Sequence, residues 1–326
     1  MDSIRQPPPM VSGLLIALVV VSASGCSVAL QDRVTSAAAM LKHAAELAGE
    51  CDDPEFVAAA NQAAAQARDS FEALRTCYND LGHAQSDLAY ARSMRETQAA
   101  NVQSKLDEIE GLESTRREAQ TRLDEVRSIW WYVGQLPGPG RIAARQTEGY
   151  SQDAPGLAAE IAVMTHQVGE GDDAQTVQSA TPAELQAASE AVARAQAEVP
   201  LANAAYERAR AAGHDGDWDE SAYHCGTAVA AKSRAEIATI DLKLIKARIE
   251  LRQEMAKLRE REAEESAAAE ALEEVSETAT AALQVAYARH RAAVQAAEDC
   301  GVPVTGPPPF PVRPDYDNTF WDFQSD

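Results

Sequence analysis

Between Gly226 and Gly301 the chain runs for 74 residues without a glycine or a proline. Those two residue types are the usual punctuation of helices, so their absence constrains the fold strongly. Within the run a seam returns every seventh position, at Ile237, Leu244, Leu251, Leu258, Glu265, Leu272, Ala279 and Ala286. A second seam passes through Ile240, Ala247, Glu254, Arg261, Ala268, Val275 and Ala282. The first seam keeps its phase across the polar stretch Arg259–Glu265, which predicts one continuous helix. A strict seven-residue repeat makes a left-handed coiled coil. At 1.5 Å per residue the helix would be roughly 110 Å long.

Composition agrees with thin helices. Leu, Ile, Val and Phe together number 59 of 326, while Ala alone numbers 66. Ala buries little area but is the strongest helix former. Few large apolar residues and a net charge of −22 are also the composition of disordered chains. Narrow Ala- and Leu-lined seams reconcile the two, because they need a stripe rather than a thick core. A thick-cored α/β enzyme does not suit this composition. A nucleic-acid binder, which needs a basic face, does not either.

Residues 1–25 read as an export signal. Arg5 supplies the charge and Val11 to Ala23 an apolar stretch too short for a comfortable membrane span. The stretch ends in Ala23-Ser24-Gly25-Cys26. This resembles the lipobox of bacterial lipoproteins, although Ala23 stands where Leu is commoner. The resemblance implies a diacylglycerol on the Cys26 sulfur, cleavage before it and acylation of the new terminus. Several acyl chains anchor stably where one is marginal. Ser27, not Asp, follows Cys26, which by the enterobacterial sorting rule implies the outer membrane facing the periplasm. An ordinary secretory signal with a chance Cys is the alternative.

The mature chain divides into a helical block at 26–128, a Gly- and Pro-containing connector at 129–181, a second block at 182–300 and a Pro-rich tail at 301–326. In the first block a helix should stop at Gly49-Glu50-Cys51-Asp52, and Asp53-Pro54 should open the next. Asn79-Asp80-Leu81-Gly82 is either a tight turn or a tolerated irregularity. In the connector, Pro137-Gly138-Pro139-Gly140 breaks the helix, a short helix is expected over 156–168, and 169–173 reads as loop. The second block opens with Thr181-Pro182, turns at Gly213 to Asp217 and restarts near Trp218. Pro54–Arg68 and Pro182–Gln196 share a pattern that fits either a duplication or the chance likeness of Ala-rich helices. The expected fold is all-α: elongated helical hairpins in an antiparallel coiled-coil bundle, with an extended tail.

Residues 181–241 carry Thr-Pro-Ala-Glu-Leu, Ala at short helical intervals, Glu207-Arg208-Ala209-Arg210-Ala211-Ala212 and the turn Gly216-Asp217-Trp218-Asp219-Glu220-Ser221-Ala222. This resembles an Ala-rich helical-hairpin family of unknown function found in bacterial envelope lipoproteins. Members often precede an OmpA-like peptidoglycan-binding domain. Here the long heptad helix follows instead.

Besides Cys26 the chain has Cys51, Cys77, Cys225 and Cys300. In an exported protein this suggests disulfides, with three connectivities for two bridges. Cys225 and Cys300 lie about 110 Å apart on a straight helix and cannot bond to each other. Cys51 and Cys77 are 26 residues apart. They span at most about 90 Å, so both cannot reach the two distant cysteines at once. At most one intrachain bridge is expected, the remaining cysteines being thiols or links to a second copy of the chain.

His214, His224 and Cys225 lie near one turn with Asp215, Asp217 and Asp219. Adjacent side chains diverge by about 100° on a helix, so His224 and Cys225 make a poor metal pair. The alternating acids lack the Gly and the final Glu of a calcium loop. Acids at a helix N-terminus explain the cluster better, and neither metal nor cofactor is expected. Trp130, Trp131 and Tyr132 could cap the bundle or dock on a partner. In the tail, Phe320, Trp321 and Phe323 follow a polyproline II stretch and could form a partner motif. No nucleophile–base pair or phosphate loop stands out, so no enzymatic activity is expected. The leading expectation is a membrane-anchored structural spacer or scaffold of the cell envelope, with a peptidoglycan, envelope-protein or self-association partner. An adaptor acting through the aromatic cluster or the tail is the alternative.

Overall fold

The computed structural model describes the backbone of residues 12–129, 138–168, 175–304 and 306, with side chains from residue 29 onward except at 127–129 and 167–168. The fold is all-α. Among the described residues five helices and one small hairpin follow in order: α1 (Ser12–Gly49), α2 (Val57–Ile129), α3 (Gly138–Val163), β1 (Thr165–Val168), β2 (Gln175–Gln178), α4 (Pro182–His214) and α5 (Trp218–Asp299). The chain forms two compact units. One comprises Met1–Arg95 and Arg261–Asp326, the other Glu96–Glu260.

The first unit packs α1, the first part of α2 and the last part of α5. Each brings a seam with alternating steps of three and four. On α1 it runs through Leu30, Val34, Ala37, Leu41, Ala44 and Ala48, and on α2 through Ala60, Ala64, Ala67, Phe71, Leu74 and Leu81, all buried. Leu272, Ala279, Ala286 and Ala293 of α5 close the core at seven-residue intervals. These are a and d positions of a heptad, so the packing follows from periodicity. Phe71, Leu41, Leu74 and Leu81 are among the core's largest fully buried side chains, each at 0% exposure. Arg289 hydrogen-bonds Gln66, and Arg92 hydrogen-bonds Glu265. One number rises as the other falls, so α2 and α5 run antiparallel here.

Gly82 does not turn the chain. α2 passes through it unbroken, because a single glycine costs a helix only about 1 kcal/mol. A Cβ at Gly82 would meet only the side-chain amide of Gln31, at 3.5 Å. Asp53 caps the start of α2, its Oδ1 accepting from the Glu55 N–H at 2.9 Å.

The second unit packs α3, α4, the rest of α2 and the first part of α5. Its core is mostly alanine. Ala143, Ala205 and Ala228 form one layer, Ala144, Ala202 and Ala231 the next. Ile161, Leu242 and Ile249 are the large side chains of a further cluster. Here too the pairs are antiparallel, Lys105 with Glu250, Arg116 with Asp241 and Arg122 with Glu236.

The expected connector is corrected. Residues 138–163 form the 26-residue helix α3, not a short helix beginning at 156. Pro139 falls in the first turn, where a missing N–H is tolerated. Pro155 lies inside the helix but is exposed, so water can meet the carbonyl it releases. A hairpin follows where part of the short helix was expected, pairing Thr165 with Gln178 and Val168 with Gln175. It is tied to α5 by Gln253 Nε2, which donates to Ser179 Oγ at 2.7 Å and to the Thr165 carbonyl at 3.1 Å. Residues 169–173, expected as loop, lie outside the described residues.

Candidate functional site

The Cys51–Cys300 disulfide has a Cα–Cα distance of 5.7 Å and joins positions 249 apart in sequence. Local geometry brings the two cysteines together. α1 stops at Gly49, and Cys51 lies buried in the turn before the Asp53 cap. α5 stops at Asp299, and Gly301 then takes φ +76°, a left-handed conformation that glycine adopts without strain. The Val302 N–H donates to the Ala297 carbonyl at 3.0 Å, folding the chain end back over the helix. Pairing across this distance removes much loop freedom from the unfolded chain and is worth about 2–5 kcal/mol.

Cys77 and Cys225 remain buried thiols. Burial, then the charge of Asp80, pushes the Cys77 thiol above its ordinary value. Burial does the same for Cys225, opposed by a hydrogen bond from the Gly140 backbone. A Cβ on Gly140 would come within 3.2 Å of the Cys225 sulfur, so this glycine permits a close approach of α3 to α5. Cys26 falls within α1, and its side chain is outside the described set. Trp130, Trp131, Tyr132, Phe320, Trp321 and Phe323 also lie outside the described residues.

The turn between α4 and α5 uses its acids structurally. Asp217 Oδ1 accepts from the Glu220 N–H at 3.0 Å, capping α5. His224 lies 3.5 Å from Glu220, one helical turn back. Among the described residues no group of three His, Cys, Asp or Glu could hold a metal.

The second unit also contains a groove of about 490 Å³ that sequence reading does not find. Arg116 and Arg117 reach it from α2, Arg194 from α4 and Arg248 from α5. Asp241 accepts from Arg116 at 2.7 Å and from Arg194 at 3.3 Å. Glu113 pairs with Arg248 at 3.0 Å. Leu244, Ile245 and Ala187 make up the apolar part of the lining. The arginines come from three separate stretches of sequence, and only the packing of three helices brings these together. No local motif announces such a cluster.

Comparison with known proteins finds no matching family model, no matching curated protein and no matching solved structure.

Proposed function

We propose that the chain is an exported helical lipoprotein that serves as a structural spacer or scaffold of the bacterial cell envelope, anchored through Cys26. The observation that carries the reading is the Cys51–Cys300 disulfide. Disulfides persist in oxidising compartments such as the periplasm and are rare in the cytosol. That agrees with a sequence that begins with a short apolar stretch ending in Ala-Ser-Gly-Cys26. The scaffold part rests on helices of 73 and 82 residues, α2 and α5, held by seams and interhelical ion pairs. Rigid helices suit a protein that holds two things at a fixed separation. An outer-membrane position facing the periplasm and contact with peptidoglycan or an envelope protein complete the proposal.

Metabolic labelling with an alkyne fatty acid in a bacterial host tests the anchor. The full chain should take up label and fractionate with membranes, and Cys26→Ser should do neither. An unlabelled, freely soluble wild-type chain would overturn the anchor. In-cell crosslinking with mass spectrometry tests the scaffold role. Crosslinks to peptidoglycan or to neighbouring copies support it, whereas one discrete partner lost on deleting residues 302–326 would favour the adaptor.

A further inference from the structure

We propose that the arginine-lined groove of the second unit is a docking site for an acidic peptide segment of a partner protein, one carrying apolar side chains between its carboxylates. This goes beyond the scaffold reading and does not depend on the lipid anchor.

The first argument is charge. Four guanidiniums line the groove against two carboxylates, giving a local excess of two positive charges. The chain as a whole carries −22, and residues 96–260 hold 27 acidic against 18 basic side chains. A positive groove on a negative unit is therefore a local departure, not a sample of the surface. Asp241 is shared between Arg116 and Arg194, and Glu113 serves Arg248. Arg117 is exposed and makes no ion pair among the described residues. Each guanidinium carries five donors in a planar fork, so one shared carboxylate leaves many unused.

The second argument is the apolar lining. Leu244 is buried and Ile245 half-buried, with Ala187 beside them. An inorganic anion would use the arginines and ignore this strip. A peptide with alternating carboxylate and apolar side chains would use both. Arg–carboxylate pairs of this kind are frequently bidentate, which adds geometric selection to charge.

The third argument separates a peptide from a membrane or a nucleic acid. Both of those present extended anionic surfaces, which would meet the net negative charge of the whole unit. A single segment with a few carboxylates can enter the groove while keeping its other charges in solvent. Complementary charge of this kind speeds encounter and weakens with salt.

The test uses the full chain and a fluorescent peptide of repeating Asp-Asp-Leu, with Asn-Asn-Leu as its uncharged counterpart, followed by anisotropy. The acidic peptide should bind saturably and more weakly as salt rises. Arg117→Glu and Arg248→Glu should each weaken it at least tenfold. Arg208→Glu, exposed on α4 and not part of the groove lining, should change it less than twofold. Among the described residues Arg117 has no ion pair to lose, so its variant should keep the wild-type circular dichroism spectrum. Equal binding of the two peptides would overturn the proposal, as would an unchanged affinity in Arg117→Glu. Phosphatidylglycerol vesicles captured through these arginines more tightly than the peptide would reassign the groove to lipid and overturn it as well.

Discussion

Glu265 and Arg95 meet at 3.1 Å in the seam between α5 and α2, and the other Glu265 oxygen lies 3.3 Å from Arg92 Nε. The carboxylate occupies a heptad position otherwise filled by Ile, Leu or Ala, and its side chain is only 9% exposed. A buried charge of this kind contributes little net stability, but it penalises any register that separates it from its partners.

Removing both guanidiniums should therefore cost more than removing the carboxylate. Arg92→Ala with Arg95→Ala is expected to lose about 1–3 kcal/mol, less than for a fully buried pair because both arginines keep some exposure. Glu265→Leu should be neutral or stabilising, since both arginines can then turn to water. Urea unfolding followed by circular dichroism measures both. A Glu265→Leu chain less stable than the double arginine variant would contradict the assignment.

Gly140→Ala should destabilise even though alanine is the better helix former. The new Cβ would crowd the Cys225 sulfur at 3.2 Å, and Cys225 is fully buried, so a neighbour must shift to admit it. Overpacking of this kind costs about 1–3 kcal/mol. Adding Cys225→Ala should recover part of the loss, so the two changes will not be additive. Gly111→Ala is the control. Nothing lies within 4 Å of its added Cβ, and it should gain about 0.5–1 kcal/mol. Thermal melts of the wild type, the two single variants Gly140→Ala and Cys225→Ala, their combination and Gly111→Ala decide the matter.

Glu184 links the start of α4 to α5 and should make the second unit sensitive to acid. Two hydrogen bonds from Arg252, at 2.7 and 2.8 Å, hold its carboxyl down to about 2, helped by the Thr181 backbone and hydroxyl against the effect of burial. The unfolded chain titrates near 4.5, so this contribution is complete above that pH and is lost as pH falls through about 2. Glu184→Gln keeps the capping box, whose third residue can be Gln, but loses the ion pair with Arg252, and should lower stability at pH 7 by at most about 1 kcal/mol. It should also flatten the acid limb between pH 4.5 and 2. Denaturation midpoints at pH 7, 4 and 2.5 report both effects.

The first unit has its own sensitivity, at higher pH. Burial, and then the charge of His43, holds the His290 imidazole below its ordinary value of 6.5. The unfolded chain thus takes up a proton before the folded one does. Stability is complete above about pH 6.5 and declines as pH falls through the lower folded value. His290→Gln should remove this decline below pH 6.5, read from denaturation midpoints across that pH. An unchanged slope in the variant would show that other groups carry it.

What the sequence made legible was what depends on local chemistry. Thr181-Pro182 announces the start of α4, and Asp53-Pro54 the start of α2. The seven-residue seam places Leu244, Leu272, Ala279 and Ala286 in cores, as found. The connector helix was expected only from 156, whereas α3 runs from Gly138 through Pro155, where exposure lets water take the released carbonyl. Cysteine spacing limited the bridges to one without choosing the pair, since Cys51 meets Cys300 only through tertiary packing. The arginine groove was invisible for the same reason. Its charges arrive from three helices, and on each helix alone they read as a solvated face.

The Cys51–Cys300 bond also decides how the molecule bears mechanical load. Tension applied between the start of α1 and Gly301 travels along α1, crosses the sulfur bridge and leaves at Cys300. The intervening chain, whose ends are 249 positions apart, hangs off that line as a closed loop. Both α2 and the whole of the second unit, arginine groove included, lie inside the loop. Stretching the two ends of an oxidised molecule would strain α1 and leave the groove's fold unstretched, whereas in a reduced molecule the same pull would run through every helix in turn.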